Sequence, residues 1–178
     1  GLILDVRQNN SLSIDAANEI LNVLLSSHDL GYIVDTDGES KLSGTSDSYY
    51  INLPMTVLVD SSTGCVAEYF AAIMREVSDV KLIGSQTMGK SAIQEVRPLT
   101  DGSAISITVS HFLTSTQTDI EGVGLKVDYE IKLSTEQTKN PASVTDETDP
   151  HIHKAIEVLN SKTDGDSQAQ STTESSQE

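Results

Sequence analysis

With 178 residues, 37% of them hydrophobic, no Trp and two Phe, the chain can build one modest core with polar extensions, and a single domain is expected. Its 27 acidic against 11 basic residues give a formal charge of −16, which repels nucleic acid and anionic membrane surfaces, so neither is expected as a partner. The single cysteine excludes an internal disulfide, and within these 178 residues neither a transmembrane stretch nor a charged-then-apolar leader is found.

In chain order, Leu2–Val6 reads as a strand and Ile14–Ser26 as an amphipathic helix with Ala16, Ile20, Leu21, Val23 and Leu24 available for burial. Gly31–Asp35 reads as a second strand, and Thr36–Tyr49, rich in Gly, Ser and Asp, as a loop or exposed turn region. The apolar run Met55-Thr56-Val57-Leu58-Val59 reads as a buried strand, followed by a small-residue turn and a helical pattern over Ala67–Glu76. Next come a Val80–Gly84 strand and two strands, Ile93–Leu99 and Ala104–Phe112, around Thr100-Asp101-Gly102-Ser103, an Asp-Gly turn that signals a hairpin. Strands alternating with crossover helices predict an α/β fold with a mainly parallel sheet and a terminal β-hairpin. Beyond residue 133, a polar connection leads to a short helix over Pro150–Asn160 with Ile152, Ala155, Ile156, Val158 and Leu159 apolar. Ser161–Glu178 holds almost no core-forming residue and is expected to be a disordered solvating tail. Deleting Ser161–Glu178 is therefore expected to leave the melting temperature unchanged; a large fall would show that the tail packs on the fold.

Two segments carry chemistry. Gly64-Cys65-Val66-Ala67-Glu68 would place Cys65 at a helix N-terminus, where unpaired N–H groups favour a thiolate and supply donors for a developing oxyanion. Gly89-Lys90-Ser91-Ala92-Ile93-Gln94 follows a strand, and a lysine held away from water there would have its pKa drawn toward that of a general base. Taken alone, each residue has a plainer reading. A lone Cys is usually a small buried hydrophobe and a lone Lys a solvated charge. Glu68 reads as a favourable charge in a first helical turn rather than a catalytic group. The four histidines show no metal-ligand spacing, so no metal or other cofactor is expected.

Several segments in order resemble the carboxyl-terminal processing, or tail-specific, peptidases, serine proteases with a Ser-Lys dyad. They are Gly1-Leu2-Ile3-Leu4-Asp5-Val6-Arg7, the cysteine turn, Gly84-x-x-Thr87-x-Gly89-Lys90-x-x-x-Gln94, and Ile120-x-Gly122-x-Gly124-Leu125-x-Val127-Asp128. The likeness covers roughly the first 130 residues, with Asp149–Asn160 similar to the family's C-terminal helix. It implies a crotonase/ClpP-like ββα core over residues 1–133, followed by the connection and helix over 134–160 and the tail over 161–178.

By the same resemblance Cys65 falls on the serine nucleophile, Lys90 on the general base, Gln94 on the glutamine that orients that lysine, and Val66 on the residue whose backbone N–H forms half of the oxyanion hole. Gly64, Glu68 and Gly89 support them. Two departures touch the site. Cysteine replaces serine, leaving open a thiolate–ammonium pair or a neutral thiol–amine pair. The family's glycine pair after Asn-Pro is also missing, since the stretch reads Gln8-Asn9-Asn10-Ser11-Leu12-Ser13.

The expected function is an endopeptidase acting near unstructured protein C-termini. An upstream PDZ domain and extracytoplasmic bacterial localisation are implied by resemblance, the chain being expected to be part of a longer protein. The alternative is a catalytically impaired pseudopeptidase that binds or scaffolds peptides. A crotonase-type acyl-CoA enzyme is a third reading that no residue supports.

Overall fold

The computed structural model describes residues 1–10, 13–134, 137 and 144–173, with side chains of the closing helix described through Ser161. The elements are β1 (Leu2–Asp5), α1 (Ile14–Leu24), β2 (Asp29–Asp35), β3 (Ser40–Thr45), β4 (Met55–Val59), α2 (Val66–Ser78), β5 (Lys81–Gly84), β6 (Ala92–Pro98), β7 (Ala104–Leu113), β8 (Tyr129–Glu130) and α3 (Pro150–Thr173). They form a parallel sheet of order β1-β4-β5-β8 and an antiparallel sheet of order β3-β2-β7-β6.

β4 is buried along its whole length because both faces of the parallel sheet are covered. Val57 and Val59 face one cluster with Leu21 of α1, Leu25 just after it, and Tyr69, Ile73 and Met74 of α2. Leu58 points the opposite way, with Ile83, into a second cluster closed by Ala155 and Val158 of α3. Alternation along a strand thus builds two cores, one on each face. The antiparallel sheet is joined to the first core by Phe112 of β7, whose ring meets Tyr69 of α2 edge to face at 5.4 Å and 80°.

The mixed α/β architecture agrees with the expected class, and four local expectations change. The Gly31–Asp35 strand belongs to the antiparallel sheet, as does the β6–β7 hairpin, whose Asp101-Gly102 turn is closed by Leu99 N–H to Ser103 C=O at 2.7 Å. Thr36–Tyr49 is not simply a loop: after a turn in which Asp35 Oδ1 accepts the Asp37 and Glu39 N–H groups, Ser40–Thr45 pairs with β2 as an edge strand. An edge strand with one open side need not show hydrophobic alternation, so its polar text hid it. In α1 the buried residues are Ala17, Leu21 and Leu24, whereas Ile20 and Val23 are 53% and 50% exposed and Ala16 is exposed. Helical backbone in α3 continues to Thr173, past the expected end at Asn160, because a packed first half nucleates the helix and propagation then costs little.

α3 is anchored at its start. Arg7, after β1, donates to Asp149 Oδ2 at 2.7 Å, and Asp149 Oδ1 accepts the His151 N–H at 2.8 Å in front of Pro150. Burial pushes the Asp149 carboxyl up, but hydrogen bonds from Arg7 and His151, with their charges, outweigh it and hold the carboxyl below its usual value. A lowered folded-state pKa adds stability that is complete above the unfolded value and lost as pH falls through the folded one. The stability gap between the parent and Asp149→Asn should therefore be constant near neutrality and narrow as pH drops below about 4. Denaturant titrations at pH 7 and below pH 4 check this, and a gap independent of pH would contradict it.

Candidate active site

The site is built where the β4–α2 turn meets the segment between β5 and β6. After β4, Asp60 Oδ1 accepts the Ser62 and Thr63 N–H groups at 2.9 Å, folding the chain back sharply. Thr63 Oγ1 then donates to the Val6 carbonyl at 3.0 Å, and the Gly64 N–H to the Asn9 carbonyl at 2.9 Å, which ties the turn to the segment after β1. These ties hold Cys65 at φ 55° and ψ −126°, a conformation that side-chain-bearing residues rarely adopt. Strain of this kind costs about 1–3 kcal/mol and collects at functional sites. A strand followed by a sharp turn with a positive-φ residue and then a helix has the backbone geometry of a nucleophile elbow.

Cys65 is fully buried, and its Sγ points to the Ala92 carbonyl of β6 at 3.8 Å. Burial pushes the thiol up; the Val66 N–H and the charge of Lys90 oppose that, while Glu68 and Glu121 add to it. Between the two protonation patterns left open by the sequence, the neutral thiol is therefore the favoured resting form, and Lys90 is close enough to be felt by the sulfur. Alkylation of Cys65 is accordingly expected to rise on the alkaline side, and Lys90→Ala should move that profile further up in pH. A profile unmoved by Lys90→Ala would contradict the pairing.

Glu68 has an unexpected place. It is fully buried in the first turn of α2 and receives four donors: Oε2 accepts the Cys65 N–H at 3.2 Å and the Lys90 N–H at 2.8 Å, and Oε1 accepts the Gly89 N–H at 2.7 Å and the Thr87 hydroxyl. Four donors match the acceptor-only character of a carboxylate. Gly89 has φ 78°, and a Cβ there would lie 2.7 Å from the Gly124 nitrogen, so these two glycines let the loop ending at Leu125 seal this segment from outside. On the far side of Lys90, Glu121 Oε2 accepts the N–H groups of Ser91 at 2.6 Å and Ala92 at 3.1 Å.

This order of strand, elbow, helix and lysine segment can be compared with known proteins. Residues 1–131 match peptidase family S41. The chain belongs to that family. It is 32% identical over 134 residues to carboxyl-terminal-processing peptidase 2, chloroplastic, of Arabidopsis thaliana, covering 74% of this chain and 26% of the relative. With carboxy-terminal processing protease CtpA of Bacillus subtilis (strain 168) it shares 29% identity over 134 residues, 75% of this chain and 29% of that one. The solved photosystem II D1 C-terminal processing protease superposes with a TM-score of 0.65 at 30% identity, over 74% of this chain and 34% of that one. A putative S41 protease from Bacteroides fragilis NCTC 9343 superposes with a TM-score of 0.73 at 18% identity, over 89% and 44%, a likeness of fold. The chain spans only about a quarter to a third of the length of the curated relatives named here.

Within this S41 chain the expected residues stand as follows. Gly64, Cys65, Val66, Glu68, Gly89 and Lys90 come together around one turn. Gln94 lies further along β6, exposed and opposite Thr108, with a register shift between it and Ile93. Of the stretch lacking the glycine pair, Gln8 takes φ 55° without being glycine and Asn9 binds Gly64, while Ser11 and Leu12 lie outside the described residues. Two contributors, Thr87 and Glu121, were not singled out from the sequence. Thr87 stood in a motif with Gly84 and Gly89, which was a usable signal; Glu121 lay at an unspecified position of the motif between Ile120 and Gly122 and gave none. No helix among the described residues is long and apolar enough to cross a membrane.

Proposed function

We propose that the chain is the catalytic core of a C-terminal processing endopeptidase in which Cys65 and Lys90 act as nucleophile and base. The observation that supports this most is the strained elbow, which presents Cys65 at the start of α2 with the Val66 N–H and the Lys90 charge both acting on its sulfur. In this reading Lys90 first releases a proton to solvent, Sγ then bonds to the substrate carbonyl carbon as the thiol proton passes to the neutral Lys90 amine, and the carbonyl oxygen becomes an oxyanion that accepts from the Val66 N–H. Collapse breaks the C–N bond, Lys90 returns the proton to the departing amine, and a thioester remains on Cys65. Water then attacks the thioester, giving its proton to Lys90, and the second collapse releases the carboxylic acid and restores the thiol. Gln94 is the proposed orienting partner of Lys90.

Substrates are proposed to be unstructured protein C-termini presented by a PDZ domain elsewhere in the full protein, in an extracytoplasmic compartment. A burial-raised thiol and the lack of a glycine pair in residues 8–13 favour a second reading, a pseudopeptidase that binds such peptides without cleaving them. Incubating an unstructured polypeptide with the parent, Cys65→Ala and Lys90→Ala, with products read by mass spectrometry, separates the two. Cleavage by the parent alone supports the peptidase; binding by all three with no new termini supports the pseudopeptidase.

A further inference from the structure

Lys90 sits in a stretch that no sheet holds. Between the end of β5 at Gly84 and the start of β6 at Ala92, the Thr87 and Met88 N–H groups go to the carbonyls of Leu125 and Thr63, outside the strands. Four consecutive N–H groups, those of Gly89, Lys90, Ser91 and Ala92, are captured by carboxylates: the first two by Glu68, the last two by Glu121. Glu121 also accepts the Ser91 hydroxyl at 3.0 Å, which Asp119 shares at the same distance. Successive backbone N–H groups facing one way form an anion-binding concavity, and here the protein supplies its own anions from two directions.

We propose that Glu68 and Glu121 form a clamp that sets Lys90 against Cys65, both acting as positioning residues for the dyad; this rests on the peptidase reading above. Glu68 reaches both partners, because one of its oxygens takes the Cys65 N–H and the Lys90 N–H together. Glu121 fixes the opposite flank and, through Ala92, the carbonyl toward which Sγ points. Neither carboxylate has to touch substrate. Their charges also reach the sulfur, opposing the effect of Lys90, so the groups that face Cys65 electrostatically are Lys90, Glu68 and Glu121.

Chemistry separates the two arms of the clamp. In Glu68→Gln one end of the side chain becomes an NH₂ that faces two donors, whichever way the amide turns, so two bonds are lost. In Glu121→Gln the amide oxygen can still accept from Ser91 and Ala92, so this variant should retain function, whereas Glu121→Ala should not. A displaced base costs turnover more than binding, so kcat should fall by about 10–10²-fold in Glu68→Gln and Glu121→Ala with KM little changed.

The decisive experiment is a double-mutant cycle on the pH profile of Cys65 alkylation by iodoacetamide, run beside cleavage of an unstructured polypeptide. Lys90→Ala should shift the profile in the parent background and leave it nearly unmoved in Glu68→Gln and Glu121→Ala, with Glu121→Gln behaving as the parent. Should Glu68→Gln fail to fold by circular dichroism, the Glu121 pair carries the comparison, since Glu121 is exposed and its loss leaves the core intact. A full Lys90-dependent shift and parental kcat in folded Glu68→Gln or Glu121→Ala would overturn the clamp and leave the peptidase reading standing. A parent that shows neither shift nor cleavage would overturn the dyad itself, and the clamp with it.

Discussion

Replacing Cys65 by alanine is expected to remove peptide-bond hydrolysis by about 10⁴-fold or more, the scale seen when a covalent nucleophile is deleted from an otherwise intact site. The fold should barely notice. Alanine meets the same positive φ as cysteine, so the strain of the elbow neither rises nor falls, and one sulfur is lost from a fully buried position. Cys65→Gly separates the two roles further: glycine accepts φ 55° freely, so it should be equally inactive yet no less stable than the alanine variant. Kinetic assays beside thermal unfolding read both quantities. Turnover surviving in Cys65→Ala would mean that the sulfur is not the nucleophile.

Gly84→Ala should give the largest loss of stability. Gly84 closes β5 at φ 132°, opposite Val59, where an added Cβ would lie 1.9 Å from the Val59 carbonyl oxygen. No rotamer relieves that clash, because the backbone fixes the Cβ and the oxygen is itself backbone; β4 and β5 would have to separate where the chain enters the cysteine turn. Overpacking and positive-φ strain together should cost about 3 kcal/mol or more. For a chain of this size that corresponds to a Tm lower by about 6–12 °C. Because the Ser85 N–H also binds the Val59 carbonyl, the lysine segment should loosen with it and turnover should fall in the folded fraction. A Tm within about 2 °C of the parent would contradict this account.

The legible parts of the chain were those where one physical rule dominates. Met55–Val59 is apolar at nearly every position because both its faces are covered, and that run announced the central strand. The Asp101-Gly102 turn announced its hairpin because Gly102 takes φ 86°. Ser40–Thr45 was illegible because an edge strand is satisfied by backbone pairing on one side and water on the other. The α1 face was misjudged by part of a turn. Ile20 and Val23 share its helical spacing with the buried residues, and only the position of α2 decides which apolar stripe is covered.

Around the candidate site, Cys65 and Lys90 stood out by their small-residue surroundings and the family resemblance, and a first-turn Glu was readable as a helix charge. That Glu68 is instead a fully buried tie between the two segments depends on contacts about 20 residues apart in sequence, such as its bond to Gly89, which no local pattern encodes. Glu121 is the extreme case, an acidic residue in an acidic chain, distinguished only by what its carboxylate meets.

The most direct test of the central claim is intact-mass analysis of the protein, quenched in acid during cleavage of an unstructured polypeptide. The account predicts a substrate-derived acyl adduct that maps to Cys65 as a thioester, is released by hydroxylamine, and is absent in Cys65→Ala. New peptide termini with no adduct at Cys65 in the parent, or no cleavage at all, would contradict it.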